Sequence, residues 1–319
     1  MATIIKLEEI QSIVRNLDVV AAMEEGFVQY SNGNTVVPPV GELLFEEPKG
    51  EAHIKYGYIR KDDYYVIKIA SGFYDNSKLG IPSSQGMMLL FDQKTGVPVA
   101  VLLDEGQLTD IRTAAAGALA AKYFAPQNIK GIGIVGTGIQ ARLQLQYLQS
   151  ITDCKKVWVW GRNAANAERF VQNLGGDFDI QIAANTQEVA QHCNLIVTTT
   201  PSQSPLLKAE DIQVGTHITA VGSDTSNKQE LESAILQKAD IVISDSIPQS
   251  KSRGEVFRAV QDGVIAADKA IELGATIQDK SLQRINDEQI TVVDLTGVAV
   301  QDIMITKAVY LEFQKKLDS

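Results

Sequence analysis

Hydrophobic positions in the first third of the chain follow two different periods. Residues 7–31 carry apolar side chains at helical spacing, with Ile10 and Ile13 on one face, and this pattern predicts a helix. Pro38-Pro39 then stops any helix. Runs with high β propensity, several of them alternating, predict strands over 40–46, 52–60, 64–70, 86–92 and 97–103. We expect these strands to form an antiparallel sheet.

An alanine-rich helix is predicted over residues 106–124, and strands alternate with helices after it. The predicted strands are 131–135, 157–160, 180–183, 195–199, 217–221, 241–243 and 291–294. The predicted helices are 140–150, 164–174, 186–191, 229–238, 255–262 and 300–316. Because parallel strands need crossover helices, this alternation is typical of a doubly wound parallel sheet. The predicted class is α/β, a Rossmann-type domain plus a smaller α+β domain.

Composition and charge narrow the class of protein. The 319 residues are 45% hydrophobic and 21% charged, which is enough apolar material for a sizeable core. With 29 Lys and Arg against 39 Asp and Glu, the net charge of −10 argues against an unspecific nucleic-acid or membrane-surface binder. The two cysteines and three histidines form no metal-binding spacing, and no apolar run approaches about 18 residues. The N-terminus lacks a signal-peptide layout, so we expect a cytoplasmic protein. From the cysteine and histidine spacing we expect no metal site.

A glycine-rich turn follows the strand predicted at 131–135. Gly136 permits a tight turn, Gly138 lets the backbone approach a pyrophosphate, and Ala141 allows close packing of helix on strand. The helix N-terminus offers unpaired N–H groups to the anion. In this strand–turn–helix context the turn predicts an NAD or NADP site. Its predicted cofactor-binding residues are Gly136, Thr137, Gly138, Ile139, Gln140 and Ala141.

The residues after the second strand of this region bear on the choice of cofactor. The strand 157–160 is followed by Gly161, Arg162 and Asn163, with no Asp or Glu to bind a ribose 2′-hydroxyl. Arg162 can face a 2′-phosphate instead, which favours NADP(H) and leaves NAD(H) as the alternative. Arg162 could also stack on the adenine or point into solvent, which would remove that preference.

Polar residues follow two later strands of the predicted parallel sheet. Thr199 and Thr200, and then Val221-Gly222-Ser223, lie at the edge of the sheet along which a dinucleotide runs. The threonines could equally end a β-prone run without binding anything. Asp224 comes next and is either a helix N-cap or an acid/base group, and burial would raise the pKa of such a group.

Two basic residues lie in apolar surroundings. Alternation places Lys68 on the face opposite Ile67 and Ile69, where a lysine usually faces solvent. Arg112 lies among small residues inside the helix predicted at 106–124, and a buried arginine needs an anionic partner. The nearest acid in sequence, Asp110, falls on another face of that helix.

Four separated motifs occur in one order along the chain. They are Asp104–Ala116, the turn Gly136–Ala141, the pair Gly222–Thr225 with Lys228–Leu231, and Asp294–Ala299 with Asp302. Together they resemble the ornithine cyclodeaminase/μ-crystallin family, which also includes an archaeal type of alanine dehydrogenase and ketimine reductases. The resemblance covers nearly the whole chain. It implies a substrate-binding and dimerisation domain (1–118 with 300–319), an NAD(P)-binding domain (119–299) and a homodimer.

The resemblance also implies roles for single residues. Arg112 looks like the arginine that binds the substrate carboxylate, and Lys68 like a lysine that contacts the same carboxylate or the substituents of the reacting carbon. Asp224 looks like the aspartate that exchanges a proton with the substrate nitrogen. Arg162 corresponds to the position that separates NADP from NAD users, and Val298 ends the segment that closes over the nicotinamide.

The chain departs from the family pattern at one place. Family members that handle ornithine or alanine usually carry another cation after the proline-rich turn, where this sequence has Glu42. Lys55 on the next predicted strand could take its place. Alternatively, Glu42 could accept a hydrogen bond from a second amine or hydroxyl of the substrate.

The activity expected from the resemblance is an NAD(P)-dependent oxidoreductase that acts on a C–N bond. Reduction of a cyclic imine, Δ1-pyrroline-2-carboxylate, to L-proline ranks first, because an NADP-like strand end suits a net reductant. Cyclisation of ornithine with loss of ammonia ranks second, and dehydrogenation of alanine third. A binding protein that holds NADPH with little turnover is a further alternative, against which the combination of Lys68, Arg112 and Asp224 argues.

Overall fold

The structure, a computed structural model, describes residues 2–73 and 75–318. The chain divides into two compact units. One is formed by the chain up to Arg112 together with the chain from Val298 onward, and the other by Thr113–Gly297. The first division falls inside the alanine-rich helix, a few residues before the predicted position. The first unit therefore combines two segments that are far apart in sequence.

The helices and strands are numbered in chain order. The strands are β1 (Thr3–Ile5), β2 (Thr35–Val36), β3 (Gly41–Phe45), β4 (Gly50–Ile59), β5 (Tyr64–Phe73), β6 (Ser84–Asp92), β7 (Pro98–Leu102), β8 (Ile132–Val135), β9 (Lys156–Trp160), β10 (Asp179–Ile182), β11 (Leu195–Thr198), β12 (His217–Ala220), β13 (Ile241–Ser244), β14 (Ala270–Glu272) and β15 (Thr291–Asp294). The helices are α1 (Leu7–Val14), α2 (Val19–Ser31), α3 (Gln107–Phe124), α4 (Ile139–Leu148), α5 (Ala164–Leu174), α6 (Thr186–His192), α7 (Ser233–Lys238), α8 (Gly254–Gln261), α9 (Leu273–Gln278) and α10 (Ala299–Asp318). The predicted α/β class is confirmed.

The first unit contains one mixed sheet. Its strand order is β1-β7-β6-β5-β4-β2, and β3 also pairs with β4. Strands β3 to β7 pair antiparallel along the chain as predicted, whereas β1 joins β7 in parallel. Helix α10 packs against α2 and against β4, β5 and β6. One face of the sheet is therefore covered by helices.

The two faces of this sheet carry different side chains. Met88 and Leu90 are buried on the covered face, and Lys68, which is opposite Met88 in the strand register, is buried there too. On the other face Ile69 and Met87 are each more than a third exposed. Alternation thus separates Lys68 from Ile69 as predicted. The usual expectation that such a lysine faces solvent is wrong here, because α10 covers its face.

The helix predicted over residues 7–31 is two helices. Helix α1 ends at Val14, and α2 begins at Val19 with Asp18 as its N-cap, whose carboxylate accepts a hydrogen bond from the Ala21 N–H at 2.9 Å. Aspartate prefers an N-cap to a helix interior because it competes for backbone N–H groups. The apolar spacing continues across the break, so periodicity alone did not reveal it.

The second unit is built on a parallel sheet of eight strands. Their order is β10-β9-β8-β11-β12-β15-β13-β14, and every pair is parallel. From β8 the chain adds β9 and β10 on one side, then returns to place β11 and β12 on the other. This reversal creates a crevice at the carboxyl ends of β8 and β11, the place where doubly wound sheets bind ligands.

The structure of the second unit differs from the prediction at three elements, α7, β14 and α9. Helix α7 begins at Ser233, not near 229, so Asp224 is not the N-cap of a helix. Strand β14 and helix α9 were not predicted, since both are short.

In the described ranges of the chain, no helix combines the length and apolar character needed to cross a membrane. The same residues include no group of three His, Cys, Asp or Glu side chains suited to a metal ion.

Candidate active site

Three buried charged side chains meet on the covered face of the first sheet. Strand β5 supplies Lys68, helix α3 supplies Arg112 and helix α10 supplies Asp302, and these side chains are 2%, 4% and 1% exposed. One oxygen of Asp302, Oδ1, lies 2.9 Å from Lys68 Nζ and 3.1 Å from Arg112 Nε. Arg112 Nη1 also donates to Gln301 Oε1 at 2.7 Å. Two cations thus share one anion, which leaves the cluster positive.

The cluster changes the acidity of its members. Burial lowers the pKa of Lys68 to about 7; the Asp302 carboxylate opposes this change, whereas Arg112 and Lys55 add to it. Burial on its own would raise the pKa of Asp302, but the charges of Lys68, Arg112 and Lys55 outweigh it and hold that pKa below its ordinary value. Lys68 is therefore poised near neutral pH beside an ionised carboxylate.

Further polar groups border this cluster. Lys55 on β4 lies directly opposite Lys68 on β5, so both side chains project from the same face of the sheet. Asp104, just before α3, is buried, and its Oδ2 accepts a hydrogen bond from the Leu108 N–H at 2.9 Å. Burial raises the pKa of Asp104, whereas the charge of Lys68 lowers it. The surroundings suit an anion that brings its own hydrogen-bond acceptors.

Glu42 lies further along the same face, paired with a histidine. Glu42 on β3 is opposite His53 on β4, and Glu42 Oε1 lies 3.5 Å from His53 Nδ1. His53 Nε2 lies 3.6 Å from Glu51 Oε2. His53 and Lys55 are two residues apart on one strand, so Glu42 neighbours the cation that could stand in for the one missing from the family pattern.

The second unit contains a pocket at the carboxyl ends of β8, β9 and β11. Its volume is about 320 Å³, and its lining residues are Gly136, Thr137, Gly138, Trp160, Gly161, Arg162, Asn163, Asn166, Thr199, Thr200, Pro201, Ser202 and Leu206. None of these residues is acidic. Helix α4 begins beside it with Gly138 as N-cap and without a side-chain cap, so its first N–H groups can meet an anion.

The glycine turn of this pocket has the geometry that a dinucleotide requires. Gly136 has φ +125°, a conformation that L side chains rarely adopt, and a Cβ there would overlap Thr199 Oγ1. A Cβ at Gly138 would meet nothing within 4 Å, which leaves that backbone open to approach. A pyrophosphate fits such a turn, since small residues and free N–H groups are its recognition elements.

The predicted cofactor residues fall into three groups. Those that line the pocket are Gly136, Thr137, Gly138, Arg162, Asn163, Thr199 and Thr200. Ile139, Gln140 and Ala141 form the first turn of α4, and Val221, Gly222 and Ser223 follow β12; none of these six is among the described residues that line it. Val298 belongs to the first unit and is buried.

Asp224 lies in the second unit, in the segment between β12 and α7. Its Oδ1 is 2.6 Å from Lys228 Nζ, and the Asp224 side chain is half exposed. Arg253 Nη1 donates to the Asp224 backbone carbonyl at 3.3 Å, which anchors the segment at Asp224. A carboxylate held by a lysine and open to solvent can accept or return a proton.

Two residues of the charged cluster had no role in the sequence analysis. Asp302, the anionic partner that Arg112 needs, lies in a motif that carries the family resemblance, and Gln301 directly precedes it. Their signal was indirect: a buried arginine demands an acid, and Asp302 lies on the only predicted helix after the parallel sheet. Nothing in local spacing joins positions so far apart, because only the return of α10 to the first unit brings them together.

Comparisons with known proteins agree with this architecture. The chain matches the description "Ornithine cyclodeaminase/mu-crystallin family" over residues 1–316. It is 39% identical over 309 residues to an uncharacterized cyclodeaminase of Sinorhizobium fredii, covering 96% of this chain and 92% of the relative.

Two solved structures superpose on nearly the full length. An archaeal alanine dehydrogenase dimer with bound NAD gives a TM-score of 0.88 at 34% identity and covers 99% of this chain and 97% of that chain. The Δ1-pyrroline-2-carboxylate reductase of Thermococcus litoralis, in complex with NADH and L-proline, gives 0.90 at 27% identity and covers 98% of each. The chain therefore belongs to the ornithine cyclodeaminase/mu-crystallin family.

Proposed function

We propose that this member of the family is an NAD(P)-dependent oxidoreductase that reduces a cyclic imino acid, Δ1-pyrroline-2-carboxylate, to L-proline. The observation that carries the proposal is the buried pair Lys68 and Arg112, which share one oxygen of Asp302 and so retain positive charge. A buried cationic pair of this kind needs an anion, and a substrate carboxylate supplies it. The similarity to a reductase in complex with L-proline supports this choice of substrate.

The residues of the chain have separate tasks in this proposal. Arg112 has a planar guanidinium that can hold a carboxylate in one orientation, while Lys68 contributes a point charge. Asp224 gives a proton to the substrate nitrogen and is reprotonated from solvent, to which its side chain is open. When bound, the nicotinamide supplies the hydride. Fixing the carboxylate at two cations leaves the substrate little freedom to present its other face.

We propose NADP(H) as the preferred cofactor. The described residues that line the pocket include Arg162 and no acid, so a 2′-phosphate meets a donor and no repulsion. The two solved relatives contain NAD and NADH, respectively, and this makes NAD(H) the alternative for this chain. Binding constants for NADPH and NADH, measured on the same preparation, test the preference.

We also propose a homodimer formed through the uncovered face of the first sheet. Apolar side chains on that face are more than a third exposed, namely Ile4, Leu43, Tyr56, Ile69, Met87 and Leu103. A contiguous apolar patch of this kind on a stable protein marks an interaction surface. A second copy with the same face is self-complementary, as two-fold interfaces require.

The reductase proposal is tested by mixing the protein with Δ1-pyrroline-2-carboxylate and either NADPH or NADH. Loss of the absorbance of the reduced nicotinamide, with L-proline as the product, supports it. Matched assays contain pyruvate with ammonia, or L-ornithine with NAD⁺. No turnover of the imine, while the wild-type protein binds nucleotide, would refute the proposed substrate.

Alanine dehydrogenation is the second candidate, because an archaeal alanine dehydrogenase shares 34% of its residues with this chain. The same Lys68–Arg112 pair would hold the pyruvate carboxylate. The two activities are separated by their kcat/KM values. For this candidate to replace the first, kcat/KM for pyruvate with ammonia must exceed kcat/KM for the cyclic imine. Release of ammonia from ornithine would instead support a cyclodeaminase.

A further inference from the structure

One fully buried carboxylate joins two strand ends of the second unit. Glu230 Oε1 accepts hydrogen bonds from the N–H and the Oγ1 of Thr200, at 2.5 and 2.8 Å. Glu230 Oε2 accepts from Thr198 Oγ1 and from the Gly222 N–H, both at 2.8 Å. Thr198 is the last residue of β11, Thr200 follows that strand by two residues, and Gly222 follows β12 by two residues. Four donors from two neighbouring strand ends therefore converge on one side chain.

The backbone around Glu230 is itself anchored. The Glu230 N–H donates to Glu255 Oε1 at 2.7 Å, and the Glu230 carbonyl accepts from the Leu206 N–H at 2.7 Å. A Cβ at Gly222 would overlap the Thr200 carbonyl oxygen and lie 2.7 Å from Glu230 Cδ. Only glycine allows the two strand ends to approach the carboxylate this closely. The arrangement is therefore built from several independent contacts, not from one flexible side chain.

We propose that Glu230 is a positioning residue for the nicotinamide half of the dinucleotide. It acts through Thr200, which lines the pocket, and through Gly222, which precedes Asp224 by two residues. Doubly wound folds consist of two mononucleotide-binding halves, and β11 and β12 belong to the second one. In this assignment the adenosine half lies on the turns after β8 and β9. Within the described part of the chain, the hydrogen bonds to the Glu230 carboxylate come from Thr198, Thr200 and Gly222 and not from those turns. This inference rests on the proposed function.

The substitution Glu230→Gln separates positioning from shape. Glutamine keeps the size of the side chain but replaces one acceptor oxygen by an NH₂ group, which can only donate. Whichever way the amide turns, that group faces either the Thr200 N–H or the Gly222 N–H. One strand end therefore loses its hydrogen bond and meets a second donor.

The experiment is a calorimetric titration of the wild type and of Glu230→Gln. The titrants are the dinucleotide that the wild type prefers and its adenosine fragment alone, 2′-phosphorylated if that dinucleotide is NADP(H). We expect the dissociation constant of the dinucleotide to rise about tenfold or more, since a partly buried backbone N–H is left without its acceptor. The affinity for the adenosine fragment should stay within about twofold, because its half of the pocket is unchanged.

A second variant keeps the test decisive if Glu230→Gln does not fold. Thr198→Val removes one donor to Glu230 from a buried strand position that is not among the lining residues of the pocket. It should show the same selective loss to a smaller degree. Thr219→Val is the matched control, since Thr219 lies on the adjacent strand and pairs with His217, not with Glu230. Its affinities for dinucleotide and fragment should equal those of the wild type.

The outcomes are distinguishable. Unchanged dinucleotide affinity in Thr198→Val and Glu230→Gln, or an equal loss for dinucleotide and fragment, would overturn the role of Glu230. A wild-type protein that binds neither ligand would overturn the cofactor proposal first and this inference with it.

Discussion

At the scale of single residues, the chemistry of the first unit follows from an excess of buried positive charge over buried negative charge in one cluster. Lys68 and Arg112 are buried with Asp302 as their shared anion, and Lys55 lies opposite Lys68. Burying a charge is costly unless an opposite charge meets it. The cluster is therefore stable only with Asp302 in place, and it can take up one more anion.

Loss of the shared anion should destabilise the protein. In Asp302→Asn two buried cations lose their ionised partner, and breaking a buried ion pair in this way costs about 3–5 kcal/mol of unfolding free energy. Urea denaturation measures the change. Glu312→Gln on the same helix is the control, since its pair with Lys315 is more exposed and worth at most about 1 kcal/mol. Equal effects of both substitutions would contradict the role assigned to Asp302.

Substrate binding should weaken as the pH rises above neutrality. Burial sets the pKa of Lys68 at about 7, so the side chain loses its positive charge above that value. We expect KM for the imino acid to rise between pH 7 and pH 9, if measured with saturating nucleotide. Lys68→Arg keeps its charge over this range and serves as the comparison, because the pKa of arginine is above about 12. A KM that is flat with pH in the wild type would argue against Lys68 as a ligand of the carboxylate.

At the scale of elements, the sequence was most informative where one pattern ran uninterrupted. The strands β8 to β13 and the glycine turn follow from apolar runs separated by helices. The break between α1 and α2 did not follow, because apolar periodicity continues through Asn16 and Asp18. The partner of Arg112 and the hydrogen bonds to the Glu230 carboxylate were also not predicted, since each depends on a contact between distant positions. Local propensity carries no information about such contacts.

The two glycines of the turn before α4 should respond differently to alanine. Gly136→Ala forces an L side chain into φ +125° and against Thr199, so we expect a loss of about 1–3 kcal/mol in unfolding free energy. Gly138→Ala meets nothing within 4 Å and should unfold like the wild type, yet bind nucleotide more weakly. Thermal denaturation and nucleotide titration separate the two effects. Undiminished nucleotide affinity in Gly138→Ala would place the pyrophosphate elsewhere.

At the scale of the whole molecule, buried acids link stability to pH. Burial raises the pKa of Glu230 and of Asp294 to about 7 and that of Glu255 well above its ordinary value. Between about pH 5 and 7 the folded protein holds protons that the unfolded chain has released, so unfolding free energy falls as pH rises. His217 opposes this, because burial lowers its pKa to about 3, whereas burial raises the pKa of Asp104 and so adds to the fall.

Urea denaturation at pH 5, 6 and 7 checks this slope. We expect Asp294→Asn to flatten it, because one group that retains a proton only in the folded state is removed. Asp92→Asn removes an exposed acid whose hydrogen bonds with Thr95 lower its pKa, and the slope should stay as in the wild type. A wild-type stability that rises between pH 5 and 7 would show that these acids are ionised in the fold.

The oligomeric state is the other property of the whole molecule that can be tested. Ile69→Glu places a charge in the exposed apolar face of the first sheet and should convert the dimer to monomers, because a buried unpaired charge is costly. Light scattering coupled to size exclusion gives the mass. Ile182→Glu, at an exposed position of β10 in the second unit, should leave the dimer intact. A wild type that elutes as a monomer would remove the dimer proposal.

The return of α10 to the first unit has a consequence for biosynthesis. On the ribosome, β5 and the start of α3 emerge long before the residue that neutralises Lys68 and Arg112. Until Asp302 is translated, neither cation has that carboxylate to accompany it into the interior. The parallel sheet, by contrast, lies wholly within Thr113–Gly297 and is available beforehand. The second unit should therefore fold first on the nascent chain, and the first unit should complete its folding last.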